Sequence, residues 1–225
     1  MLLAFSLAVG TLLTRADAVA EVRNSKHDFS LSGDGGIWGS AEIDEVCIFC
    51  HTPHRANPTD IGPLWNREEI SASFDLYASE TLDGSPAQPT GSSLACLGCH
   101  DGAIAIDMFT AGHPSAPNMM SLGDVYYPGS PYGDGGANIG ESYPANPAVH
   151  DLSNDHPVSF IYDEALASAD GGLRDPATLS ADLPLFDGRL ECATCHDVHN
   201  GTPAIPSLLR VNISGSELCL SCHNK

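Results

Sequence analysis

The sequence predicts a chain that is mostly irregular coil, with short α-helices and little β-structure, around an interior its own side chains do not fill. Three observations carry this expectation. Gly (22) and Pro (16) make up about a sixth of the 225 residues, above the usual share of roughly an eighth. Aromatic residues are only 7%, and no long helical stripe of apolar residues runs through the chain. All eight cysteines stand in C-x-x-C pairs. A polar, Gly-rich chain buries too little apolar surface to offset its conformational entropy. A large apolar group from outside the chain must therefore complete the interior.

The cysteine pairs say which group. Each is followed at once by histidine: CIFCH (Cys47, Cys50, His51), CLGCH (Cys96, Cys99, His100), CATCH (Cys192, Cys195, His196) and CLSCH (Cys219, Cys222, His223). C-x-x-C-H is the attachment signature of c-type haem. Two thiols add across the vinyl groups on one haem edge, and the adjoining histidine becomes the proximal axial ligand. Zinc and thiol redox chemistry also use C-x-x-C, but neither calls for the histidine. With histidine at about one residue in 22, four chance hits have odds on the order of 10⁻⁶. Four haem c groups are expected.

Six further histidines remain, and their order repeats. The first half reads His27, then C-x-x-C-H-x-x-H ending at His54, then the Cys96 motif. The second reads His156, then C-x-x-C-H-x-x-H ending at His199, then the Cys219 motif. His27, His54, His156 and His199 are therefore the candidate distal ligands, and they close the count for four six-coordinate irons. His54 and His199, each three residues after a proximal histidine, cannot reach the far face of their own segment's haem. Each should ligate a different iron. His113 and His150 are expected to be surface residues, and Met108, Met119 and Met120 to be packing residues, although Met/His ligation occurs in cytochromes c.

From the N-terminus, Leu2 to Leu13 is apolar, too short for a bilayer span of about 20 residues and suited to a secretory leader. Residues 1–20 are read as a signal peptide, with A-x-A patterns at Ala16–Ala18 and Ala18–Ala20. No Lys or Arg precedes the apolar run, which a start upstream of Met1 would supply; an uncleaved anchor is the alternative. Residues 21–225 then form a single domain of two repeat-like halves, about 21–110 and 151–225. The segment 101–155 between them, with YYPGSPYGDGGANIGESYPANP, is read as an ordered loop region. Short helices are expected at Asn66–Ser73, at Asp163–Ala169 and around each attachment site. Ala193–Asn200 should be a helical turn presenting His196 and His199 together. The formal charge of −20, from 29 acidic and 9 basic residues, argues against nucleic-acid partners and anionic lipid surfaces.

KHDFS at Lys26–Ser30, CIFCHTPH at Cys47–His54, LWN at Leu64–Asn66, NDHPVSF at Asn154–Phe160 and CATCHDVHN at Cys192–Asn200 together resemble the tetrahaem extracellular cytochrome filament family, the polymeric "nanowire" cytochromes. The resemblance implies four bis-histidine haems in a continuous chain, and subunits that polymerise with one axial histidine donated by the neighbour. By motif it carries His27, His54, His156 and His199 over as distal ligands. It implies a partner in further copies of the chain, besides redox partner proteins or extracellular acceptors. The short apolar run at Leu2–Leu13 leads to the expectation of a mature chain without a membrane span.

Electron conduction through closed haem sites is the leading expectation, with no catalytic residues, in an extracellular filament. A monomeric periplasmic shuttle has the same chemistry without the polymer. A multihaem reductase would need an open iron position, whereas the histidines suffice to close all four. His54 is expected to cross between subunits; binding the Cys96–Cys99 haem in its own half is the alternative, and His27 is another candidate for crossing.

Overall fold

A computed structural model describes residues 22–23, 25–33, 38–39, 43–57, 61–67, 72–101, 121–122, 139, 141–143, 146–200 and 206–224. Among them the chain is largely coil and turn. The helices are α1 (Gly91–His100), α2 (Glu164–Asp170), α3 (Cys192–Cys195) and α4 (Glu217–Cys222). The strands are β1 (Trp38–Gly39), β2 (Ser73–Leu76), β3 (Ser121–Leu122), β4 (Glu141–Tyr143), β5 (Asn146–Leu152), β6 (Phe160–Ile161) and β7 (Arg189–Leu190).

Local chemistry accounts for the clearest elements. Asp163 caps α2, its carboxylate accepting the Leu166 N–H at 2.8 Å, and Gly171 stops the helix at a left-handed φ of 66°. The expected helix at Asp163–Ala169 is thus present with its cap resolved. Asp187 and Gly188, at φ 50° and 74°, form the two-residue turn that brings Phe186 and Arg189 into paired 2.9 Å hydrogen bonds and leads into β7.

The expected helix at Asn66–Ser73 does not form where it is described. Asn66 has no regular structure, Arg67 stands in an isolated bridge and Ser73 opens β2; Asn66 is instead drawn into pairing with the first cysteine motif. The 101–155 segment also contributes more than loop. Its β5 is the centre of a sheet ordered β2–β5–β4, parallel to β2 and antiparallel to β4. Pro147 sits in that central strand where the register to β4 shifts and before the β2 ladder begins at Val149, so its missing N–H interrupts neither ladder.

Packing is local and thin. Phe74, Leu97 and Leu152 form one apolar cluster, and Phe160, Tyr162, Ala167 and Leu190 another. Among the described residues, twelve apolar side chains are buried, and so are twelve polar or charged ones, including Asp28, Arg67, Asp101, His150 and Glu191. An interior this polar is organised by hydrogen bonds at least as much as by apolar contact.

Candidate haem sites

Three of the four C-x-x-C-H motifs share one backbone arrangement. At the first, Asn66 N–H donates to the Cys50 carbonyl (2.9 Å), His51 bridges to Trp65, and Thr52 N–H donates to the Leu64 carbonyl (2.8 Å). At the third, Arg210 donates to Cys195 (2.8 Å), His196 bridges to Leu209, and Asp197 donates to Leu208 (2.8 Å). At the fourth, Arg174 donates to Cys222 (2.8 Å), His223 bridges to Leu173, and Asn224 donates to Gly172 (2.8 Å). The side chain of the clamping residue repeats as well. It donates to the carbonyl of the residue after the first cysteine: Asn66 Nδ2 to Ile48 (2.6 Å), Arg210 Nε to Ala193 (2.8 Å) and Arg174 Nε to Leu220 (2.7 Å). Each C-x-x-C turn is gripped at both ends and its histidine drawn out as a short strand.

That arrangement overrides the helical turn expected at Ala193–Asn200. The helix α3 ends at Cys195, and His196 is extended at φ −112° and ψ 145°, so His196 and His199 do not share a helical face. The first motif forms consecutive turns rather than a helix. The Cys96 motif differs again: α1 runs through His100, and the Asp101 N–H closes onto Leu97 at 3.0 Å.

The clamp also orients the imidazoles. His51 Nδ1 meets the Pro63 carbonyl at 2.8 Å and His196 Nδ1 the Ser207 carbonyl at 2.8 Å; His156 Nδ1 meets its neighbour Pro157's carbonyl at 2.9 Å. A ring held by Nδ1–H on a carbonyl presents Nε2 as the metal-binding nitrogen.

The histidines face one another in pairs. His27 and His100 have ring centres 5.9 Å apart, His51 and His199 6.0 Å, and His156 and His223 6.4 Å. Two imidazoles bound through Nε2 to one metal, at about 2 Å per bond, bring their ring centres about 6 Å apart. The residues therefore fit a bis-histidine iron at three positions, each joining a proximal to a candidate distal histidine. His100 faces His27, which leaves the alternative pairing of His54 with the Cys96 site without support. Among the described residues, no ring contact joins His54 or His196 to another histidine, and both are exposed. Among the described residues, no group of three or more His, Cys, Asp or Glu residues converges as a metal-ion cluster.

The thiols neighbour one another in chain order. Burial pushes Cys50 up to about 12, with the Cys99 thiol adding to the rise. Burial likewise pushes Cys195 up to about 11, with Cys222 beside it. Between these, the Cys96 thiol donates to the Cys192 sulfur, which raises Cys96 and lowers Cys192. Burial, with the imidazoles of His100 and His196 nearby, lowers His27 to about 4, keeping it in the neutral form that binds metal.

Sequence reasoning missed two groups. His150, expected at the surface, is 2% exposed; its Nδ1 meets the Asp101 carbonyl at 3.1 Å and its ring packs on Phe74 at 5.5 Å. The sheet drew it inward, and its pairing in β5 beside Phe74 of β2 carried no signal in the histidine order. The clamp was the other, foreshadowed only by the recurrence of LWN, LLR and GLR. His113 and the three methionines, like the leader region, lie outside the described residues. Among those described, no helix is long and apolar enough to cross a membrane.

Residues 184–225 match the family model of the doubled CXXCH motif, which covers the third and fourth sites. No curated protein matches the chain. The match supports a multihaem c-type cytochrome with covalently bound haem c, acting in electron transfer.

Proposed function

We propose that the chain carries four haem c groups, at Cys47/Cys50, Cys96/Cys99, Cys192/Cys195 and Cys219/Cys222, and conducts electrons as the subunit of an extracellular filament rather than catalysing a reaction. Bound haem supplies reversible one-electron exchange at iron. The residues of the chain do the rest. His51, His100, His196 and His223 hold the proximal positions, and His199, His27 and His156 face three of them across the spacing that one metal requires. The thiols of successive sites adjoin, so the attachment points make a line through a single domain built of two related halves. The macrocycles would fill the interior that the side chains leave so polar.

One observation carries the filament. Three facing pairs account for six histidines and leave proximal His196 and candidate distal His54, both exposed. His54 of one copy would complete the position at His196 of the next, so polymerisation and ligation become one event. Export to the cell surface fits this reading. Intact mass should show four haem additions, and electron microscopy of the secreted protein should show filaments. His54→Ala should abolish them and leave one haem able to bind carbon monoxide after reduction. Full-length filaments with unchanged low-spin spectra in that variant would refute the crossing. Wild-type particles that stay monomeric with every iron low-spin would favour the shuttle instead.

A further inference from the structure

Between the second and third attachment sites lies a buried carboxylate that electron carriage by ligands alone does not use. Glu191, immediately before Cys192, is 2% exposed. Its Oε1 accepts from Thr90 Oγ1 at 3.0 Å, and its Oε2 accepts from Ser159 Oγ at 2.8 Å and from Ser93 Oγ. It also accepts the Thr194 N–H, while its own N–H donates to Thr194 Oγ1 at 3.0 Å, a reciprocal cap on α3. Every partner of the carboxylate itself is a neutral donor. Ser93, wholly buried and three residues before Cys96, also accepts the Cys192 N–H at 2.9 Å. One carboxylate thus stands at the start of both α1 and α3 and ties together the two motifs whose cysteine sulfurs touch.

We infer that Glu191 is a positioning residue that also lowers the reduction potential of the haems on Cys96 and Cys192 relative to those on the outer sites. The inference rests on the reading that haem is attached at both. Each iron gains one electron on reduction and loses one net positive charge. A fixed negative charge nearby favours the oxidised form, and a buried charge is little screened by solvent or salt. Hydroxyl donors hold the carboxylate in place and partly offset its field. A conductor with a lowered centre would pass electrons outward from the Cys96/Cys192 junction more readily than inward.

The test uses the full haem-loaded protein, with haem content from intact mass and site-resolved potentials from a stepwise redox titration followed by NMR of the haem methyls. Glu191→Gln keeps the shape and should shift the one-electron equilibrium at the Cys96 and Cys192 haems about tenfold toward reduction, near 59 mV, with the outer two moving far less. Ser159→Ala removes one donor from the retained charge and should move the same two haems in the opposite direction, roughly twofold. Opposite signs cannot come from loosened structure, because both variants lose a hydrogen bond and both should lower the thermal midpoint. Potentials that stay put while the midpoint falls, or that move equally at all four haems, would overturn the inference. Loss of haem from the wild-type Cys96 or Cys192 motif would instead overturn the reading beneath it.

Discussion

The first, third and fourth attachment sites and the second solve the same problem in different ways. At the three, a residue distant in sequence grips the C-x-x-C turn from both ends, and the histidine leaves the turn as extended backbone. At the second, the ten-residue α1 carries both cysteines and His100 on one continuous helix. There the support arrives at the helix C-terminus, where the buried Asp101 carbonyl meets His150 and Ile139 N–H donates to the His100 carbonyl at 3.0 Å. A four- to six-residue helix cannot hold itself, since nucleation is costly and short helices need tertiary contacts. The clamp supplies those contacts, and the longer helix relies on its sheet.

The clamps themselves differ in burial, and that difference orders the expected effects. Arg210 is the strongest: besides its bond to Ala193, its Nη1 lies 2.7 Å from Asp197 Oδ2, a pair only 21% and 10% exposed. Burial alone would raise Asp197, but hydrogen bonds from Asn200 and the His199 N–H, with the Arg210 charge, hold it below the usual range. Arg210→Ala removes that ion pair and the bond to Ala193, while Asp197 keeps its bonds from Asn200 and the His199 N–H. It should cost about 2 kcal/mol, read as a fall in the thermal midpoint of the loaded protein. Arg210→Lys should not restore it, because a lysine cannot make both contacts in the fork geometry. Equal midpoints for Arg210→Ala and wild type would show that the covalent haem, not the clamp, holds the third site.

His150→Ala breaks the other kind of support. Losing a buried bond to Asp101 and the packing against Phe74 should cost about 2 kcal/mol. Its spectroscopic effect should fall on the Cys96 haem alone; a change at the third or fourth site instead would dissolve the contrast between helix and clamp. Asn66→Ala, at a residue 1% exposed, leaves the Ile48 carbonyl unsatisfied and should cost about 1–2 kcal/mol. Arg174 makes the same bond as Arg210 from an exposed position without an acidic partner in that bond. Arg174→Ala should therefore cost no more than about 1 kcal/mol by chemical denaturation, and a loss matching that of Arg210 would show that burial does not grade the clamps.

The smallest effect belongs to the N-terminal arm that carries His27. Asp44 accepts from Ser32 Oγ and lies 3.7 Å from Arg23 Nη1. Its hydrogen bond from Ser32, and then the Arg23 charge, hold it below the ordinary 3.8. A carboxyl lowered on folding contributes stability that is present above its unfolded value and is lost as pH falls from 3.8 through the lower folded value. Proteolysis near Ser32 should therefore quicken only below about pH 4 in wild type, and Asp44→Asn should show the faster rate at neutral pH.

Legibility in the sequence tracked residue type rather than conformation. The four C-x-x-C-H motifs and the repeated order of His27, His54, His156 and His199 could be read because both are matters of residue type at fixed spacing. The helix expected at Asp163–Ala169 formed as α2 because it is held by local caps, Asp163 before it and Gly171 after it, which need no distant partner. By contrast, Asn66–Ser73 read as a helix because propensity cannot register that Asn66 pairs with the first cysteine turn. Ala193–Asn200 failed likewise, since Leu208 and Leu209 pull His196 into extended backbone.

The sequence by itself determined the attachment chemistry, the supply of imidazoles, the leaning toward coil and the two-fold recurrence of motifs. Each is a property of residue type and order. Only the tertiary structure decided which histidines face each other, that His150 is interior, and that Asn66, Arg174 and Arg210 play one part at three sites. Those outcomes join residues up to about 148 positions apart, as His51 and His199 are. Contacts over such separations depend on how the whole chain closes, because the entropy of closing a long loop varies so weakly with its length that spacing alone selects no partner.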